Sequence, residues 1–270
     1  MRKPLLKFLV ALTVLGVSGG SLAAGDGPAF EKLDTGAWEE VLHDSGTGDW
    51  RRNWTLDGLT ANITNGADGM HFASGPEEGN HADHAVLWTR ESFAGDVRID
   101  FLYTRTDEAI RNVNIIYVQA TGSGEGEFAE DIMAWRHLRE EPWMKNYFRT
   151  MNLYHISFAA FGTKNIDPEE DYIRARRYMP TVDAGLGGTD LKPDYARTGL
   201  FRTGVTYRVT VIKQGRELRM RVMDGDRAFY CHWRNESLPA IEAGRVGLRH
   251  MYARSARYQN FSVSVRPKVR

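Results

Sequence analysis

The chain has 270 residues, with 35 Lys plus Arg against 35 Asp plus Glu, a formal net charge of zero. That balance and the lack of a basic tail argue against nucleic acid as a partner, because such binding rests on neutralising phosphates. Cys231 is the only cysteine, so no intramolecular disulfide forms and stability must come from a packed core.

In chain order, the first segment reads as a signal peptide over residues 1–23. Arg2, Lys3 and Lys7 form a positive head, Phe8 to Val17 is apolar, and small residues follow through Ala24. The apolar run falls short of the about 20 residues that a membrane span needs. The expectation is therefore a periplasmic or secreted protein with no membrane partner after cleavage, built as one domain over residues 24–270. Phe30–His43 carries a helical turn or two. Candidate strands follow at His84–Arg90, Asp96–Arg105, Val113–Ala120, Asn152–Phe161 and Asp171–Met179, with a helix at Ala129–Arg139 inside a long connection. Five more strands, Thr206–Lys213, Glu217–Met223, Arg227–Trp233, Arg245–His250 and Tyr258–Val265, include two hairpin junctions at Gln214-Gly215 and Asp224-Gly225. Cys231 sits in an apolar-aromatic run, Phe229 to Trp233, and reads as an inert core thiol.

Many short strands without alternating long helices predict an all-β, two-sheet antiparallel jelly-roll sandwich. Period-two geometry then sorts side chains by face. It groups Phe101, Tyr103 and Arg105; Tyr117 and Gln119; His155 and Ser157; and Tyr172, Arg174, Arg176 and Tyr178. Four strands that carry Tyr, Arg, His and Gln predict a binding face rather than a plainly solvated one.

Three motifs carry a family resemblance: His84-Ala-Val-Leu-Trp88, His155-Ile-Ser157, and Gly244-Arg-Val-Gly-Leu-Arg-His-Met251 followed by Tyr258-Gln-Asn-Phe261. From about His81 to Val265 the chain resembles YesU-like bacterial proteins, a family of uncertain function with a concanavalin-like lectin/glucanase jelly roll. The resemblance implies a concave sheet that handles glycans, and a link to breakdown of pectin-like, uronate-containing polysaccharides. Thr121–Thr150 and Pro180–Thr203 lie outside the matched motifs.

Three kinds of carbohydrate chemistry compete. Jelly-roll lyases resemble the set found here, with Arg, Gln, His and Tyr on adjacent strands, and β-elimination is the leading expectation. In that scheme Arg174 or Arg176 with Gln119 neutralises the uronate carboxylate, His155 removes the C5 proton, and Tyr178 protonates the leaving oxygen. Tyr103, Arg105, Trp88 and Tyr172 would bind substrate. The alternative is a non-catalytic, lectin-like module in which Trp88, Trp135, Trp143 and Tyr172 stack on sugar rings. Glycoside hydrolysis is the weakest of the three, since the Glu-x-Asp-x-x-Glu strand pattern is absent; Asp96, Asp100 and the Glu125–Asp131 cluster are the acids at hand. No cofactor is required and no metal site is assigned: on a strand, His81 and His84 would face opposite sides. A structural calcium ion held by loop carboxylates is allowed but not indicated by spacing.

Overall fold

The computed structural model describes residues 25–180 and 185–267, so the leader expected over residues 1–23 lies outside the described residues. A short helix α1 (Gly27–Asp34) precedes β1 (Glu39–Asp44), β2 (Trp54–Asp57), β3 (Asn62–Gly66), β4 (Gly69–Ala73), β5 (Ala85–Thr89) and β6 (Phe93–Ala94). The middle of the chain forms β7 (Val97–Arg105), β8 (Asn114–Gly122), α2 (Met144–Thr150), β9 (Met151–Ala160), β10 (Tyr172–Tyr178) and β11 (Asp190–Ala196). The last part adds β12 (Thr206–Gln214), β13 (Glu217–Asp224), β14 (Arg227–Arg234), β15 (Ala243–His250) and β16 (Ser255–Val265).

These strands make two antiparallel sheets, the two-sheet sandwich expected from the strand train. The first runs β14-β13-β12-β7-β16-β4-β3, with β1 also on β16; the second runs β11-β10-β9-β8-β15-β5-β2, with β6 on β15. Between them lies an apolar core that includes Phe101, Tyr103, Ile116, Ile156, Val211, Cys231, Trp233 and Leu248. Cys231 is buried there and burial pushes its thiol well up, in keeping with an inert group.

Each of the ten expected strands forms, within three residues of its sequence bounds. Six short or polar strands, β1 to β4, β6 and β11, carry too little apolar alternation to be seen in sequence. The helical turn expected within Phe30–His43 forms as part of α1, while the second helical expectation is corrected. α1 stops at Asp34, and Glu39–Asp44 pairs with β16 instead. Only Arg136–Arg139 of the expected Ala129–Arg139 helix coils, as a 3-10 turn, because Ile132 and Trp135 are drawn into an apolar cluster on the second sheet. No described helix is long and apolar enough to cross a membrane.

Strand β16 ties the first sheet together. It pairs along its length with β7, while its other edge takes β4 at Ser255–Tyr258 and then β1 at Phe261–Val265. Tyr258, Phe261 and Val263 project from it into the core. Deleting Tyr258–Arg270 removes these side chains and strands β1, and it should abolish soluble expression. Recovery of a soluble, cooperatively unfolding truncated chain would contradict that role.

Candidate functional site

Register across the second sheet aligns two rows of outward side chains. One runs Arg176, His155, Tyr117, Gly247, Trp88 and Thr55; the neighbouring row runs Arg174, Ser157, Ile115, Arg249, Val86 and Asp57. Gly247 has a packing reason: a Cβ there would lie 2.5 Å from the Trp88 ring, so only glycine lets the indole lie across β15. Gly244 is held likewise, since its Cβ would come within 2.2 Å of the Gln119 backbone. Both glycines of the closing motif therefore serve sheet packing.

Half of this outer face is closed by the chain itself. The Thr121–Thr150 connection lays Ile132, Trp135, Tyr147 and Phe148 over Val86, Trp88, Ile115 and Tyr117. Trp88, Tyr117 and Tyr147 stack with ring centroids 5.3 and 6.0 Å apart along the series. One buried carboxylate anchors the cover. Asp57 Oδ2 accepts from Trp88 Nε1 at 2.8 Å, Arg139 Nε at 2.7 Å and Tyr147 OH at 3.1 Å. Arg139 also lies 4.2 Å over the Trp135 ring and donates to Ile132 O at 2.9 Å.

The uncovered part lies over β9 and β10. Tyr172, Arg174 and Arg176 are half-buried there, with His155 and Tyr178 beneath them at 4% and 1% exposure. His155 Nδ1 is 2.6 Å from Tyr178 OH, and Nε2 is 2.6 Å from Ser157 Oγ. Burial, then Arg176, Arg174 and Arg249, hold the imidazole well below the usual histidine range, so it is neutral. Burial raises the Tyr178 hydroxyl well above the usual tyrosine value. Arg174 lies 4.7 Å over the Tyr172 ring and donates to its hydroxyl at 3.2 Å. Arg176 donates to Thr189 Oγ1 at 3.0 Å and pairs with Asp190 at 3.0 Å.

Arg249, which sequence reasoning left out, completes the cluster from β15. It is fully buried, 4.5 Å over the Tyr147 ring, and one Nη meets His84 Nδ1 and Pro142 O, each at 2.6 Å. Its Nε and Nη1 have no partner, nor does Arg174 Nε. Burial, followed by Arg249, brings His84 down to about 2. Among the described residues, no carboxylate other than Asp190 pairs with these three arginines. The sequence signal for Arg249 was its position two residues beyond Gly247, on the face that carries Trp88.

The structure thus brings together His155, Tyr178, Arg174, Arg176 and Tyr172 and places the other four expected site residues elsewhere. Tyr103 faces the inter-sheet core, edge-on to Phe158 at 5.1 Å, because its strand belongs to the first sheet. Arg105 lies at one end of the sandwich, paired with Asp107 at 2.9 Å. Gln119 sits at a bulge with φ of 53° that breaks the alternation, and its amide donates to Phe93 O and Gly95 O, both at 2.9 Å. Trp88 is buried beneath the cover and cannot stack on a sugar. Of the acids considered for hydrolysis, Asp100 belongs to the first sheet and is salt-bridged to Arg98, while Glu125, Glu127 and Glu130 are exposed in the cover. His81 lies in a 3-10 turn with its ring 5.8 Å from that of His84. Among the described residues, no three His, Cys, Asp or Glu side chains converge as a metal site.

Residues 46–263 match the family described as a domain of unknown function (DUF1961), and the chain belongs to that family. No curated protein matches it in sequence. A protein of unknown function with a galectin-like fold from Bacillus subtilis superposes with a TM-score of 0.64 at 17% identity, over 86% of this chain and 100% of that one. The exoplasmic/lumenal domain of VIP36, in a Ca2+/Man3GlcNAc-bound form, gives 0.53 at 10% identity over 87% and 92%. Lectin UEA-II complexed with galactose gives 0.51 at 8% identity over 85% and 100%. At these identities the likeness establishes a lectin-like sandwich fold.

Two outcomes follow from this geometry. Asp57→Ala strands the Arg139 charge in the interior and should cost about 3–5 kcal/mol in urea denaturation, with new proteolytic cleavage in Thr121–Thr150; unchanged stability would show that the carboxylate does not anchor the cover. His84, His155 and His250 all have folded-state values depressed by burial. The unfolded chain therefore takes up protons first as pH falls below about 6.5, and stability drops with it. Each histidine should cost about 1.4 kcal/mol at pH 5.5. A urea midpoint equal at pH 7.5 and 5.5 would refute the neutral assignment.

Proposed function

We propose that this protein is a non-catalytic, lectin-like module that binds an acidic carbohydrate over β9 and β10. The observation that carries this is the set Arg174, Arg176 and Arg249, opposed by Asp190 alone, with Arg174 and Arg176 half-buried at the surface and Arg249 fully buried. A guanidinium presents its N–H groups in a planar fork that matches a sugar carboxylate. Tyr172 supplies an aromatic face beside them for a sugar ring. The sugar complexes of VIP36 and UEA-II are support at the level of fold only. The resemblance to YesU-like proteins points the same way, toward uronates, in a protein that works in the periplasm or outside the cell.

One observation favours a second reading, β-elimination. The neutral His155 and the neutral Tyr178, 2.6 Å apart beneath two arginines, have the protonation states of a base and an acid. Access weighs against it. Both imidazole nitrogens are engaged, and the pair is almost wholly covered. Abstracting a C5 proton demands direct reach or one bridging water.

Titration with polygalacturonate, with dextran as the neutral control, tests both. Binding should be selective for the acid polymer, weaken with salt, and fall about tenfold or more in Arg174→Ala and Arg176→Ala. Polygalacturonate affinity unchanged in both arginine variants would overturn the acidic-sugar reading. Growth of unsaturated-uronate absorbance, lost in His155→Ala, would replace binding by elimination.

A further inference from the structure

A recess lies at one end of the sandwich, where the chain leaves β7 and β9 and enters β10 and β12. It has a volume of about 670 Å³, inside the roughly 300–1,000 Å³ range of small-molecule sites. Its apolar lining, which forms the floor, is the half-buried Ile110 and the buried Phe161 and Leu200, the last at the edge of the inter-sheet core. Arg105, Arg197 and Arg202 supply donors around it, and Glu108, Glu169 and Asp171 supply acceptors. The charges cancel, three against three, in contrast to the arginine cluster on the outer face.

The wall is held in an unfavourable backbone. Arg197 and Phe201 have φ of 52° and 56°, and Gly199 and Gly204 between and beyond them are also left-handed. Non-glycine residues adopt this region at a cost of about 1 kcal/mol or more, and such strain persists where the surroundings over-determine it. Here the buried Asp171 carboxylate does so, accepting from Thr198 Oγ1 at 2.9 Å and Gly199 N at 2.8 Å. Arg197 is fastened from outside by Glu170 at 2.8 Å, and Arg202 by Asp224 at 3.2 Å. Arg105 stands over the Phe161 ring at 5.3 Å. Glu108 is exposed and forms no salt bridge among the described residues.

We propose that this recess is a second carbohydrate site, one that takes a neutral pyranose ring. A sugar hydroxyl both donates and accepts, so an alternation of guanidinium and carboxylate groups satisfies it where a single sign of charge would not. The C–H face of the ring packs on the apolar floor. A balanced rim has no net attraction for an anion, which separates this site from the arginine face. The inference stands independently of the acidic-sugar reading.

The test is saturation-transfer NMR on the full chain with glucose, galactose, mannose and rhamnose. At least one sugar should receive transfer at its ring C–H protons. Ile110→Trp, which fills the floor, should abolish the signal, and Glu108→Ala should weaken binding about tenfold. Arg174→Ala should leave neutral-sugar binding intact, and Ile110→Trp should leave polygalacturonate binding intact. Absence of transfer from all four sugars, or an undiminished signal in a folded Ile110→Trp chain, would overturn the second site. Neither result bears on the arginine face.

Discussion

Asp57 decides how much of the second sheet remains available. Its carboxylate and the Arg139 guanidinium are both fully buried, and a buried ion pair contributes little net stability once desolvation is counted. What it does contribute is uniqueness. With Oδ2 taken by an indole, a guanidinium and a phenol, the Thr121–Thr150 cover has one place to sit. An apolar cover alone could slide over the Trp88 and Tyr117 rings at small cost. The two donors from the cover, Arg139 and Tyr147, remove that freedom, and the open strip is thereby confined to β9 and β10.

The buried cations divide by what ends their donors. Arg254 reaches Asp107 and the Asn112 carbonyl, so it closes a loop. Arg177 and Lys213 end on Pro239 O and Ile241 O, and tie β10 and β12 to the segment before β15. These are structural uses of charge, with the cost of burial offset by fixed acceptors. Arg249 ends on His84 Nδ1 and Pro142 O and leaves Nε and Nη1 unpartnered, where Arg177 and Arg254 leave one nitrogen each, and its charge reaches both His155 and Tyr178.

The sandwich was legible in sequence because period-two alternation and the glycine turns at Gly215 and Gly225 are local signals. The outer-face set on β9 and β10 was legible for the same reason: Tyr172, Arg174, Arg176 and Tyr178 do share a side with His155 and Ser157. Alternation groups residues on a strand but does not say which sheet the strand joins or which side faces the core. Tyr103 was lost to that ambiguity. Gln119 was lost to a bulge, which shifts the phase by one residue and turns the side chain away. The cover was out of reach altogether, because Trp135, Arg139 and Tyr147 have no common period and are placed by a carboxylate some 80 residues earlier.

Rigidity bears on the choice between binding and chemistry. A floor that selects a sugar benefits from groups that cannot move, since ordering them on binding would cost affinity. The His155 ring is fixed from both nitrogens and wedged edge-on against Tyr117 and Tyr178, at 5.7 and 5.2 Å between centroids. Freeing Nδ1 for proton abstraction would leave the Tyr178 hydroxyl without its hydrogen-bond partner in a buried setting, a loss of about 1–3 kcal/mol before any chemistry begins. For binding, no such rearrangement is needed. Burial and the nearby arginines keep His155 neutral, and the two hydrogen bonds that hinder it as a base hold it in place under the Arg174 and Arg176 side chains.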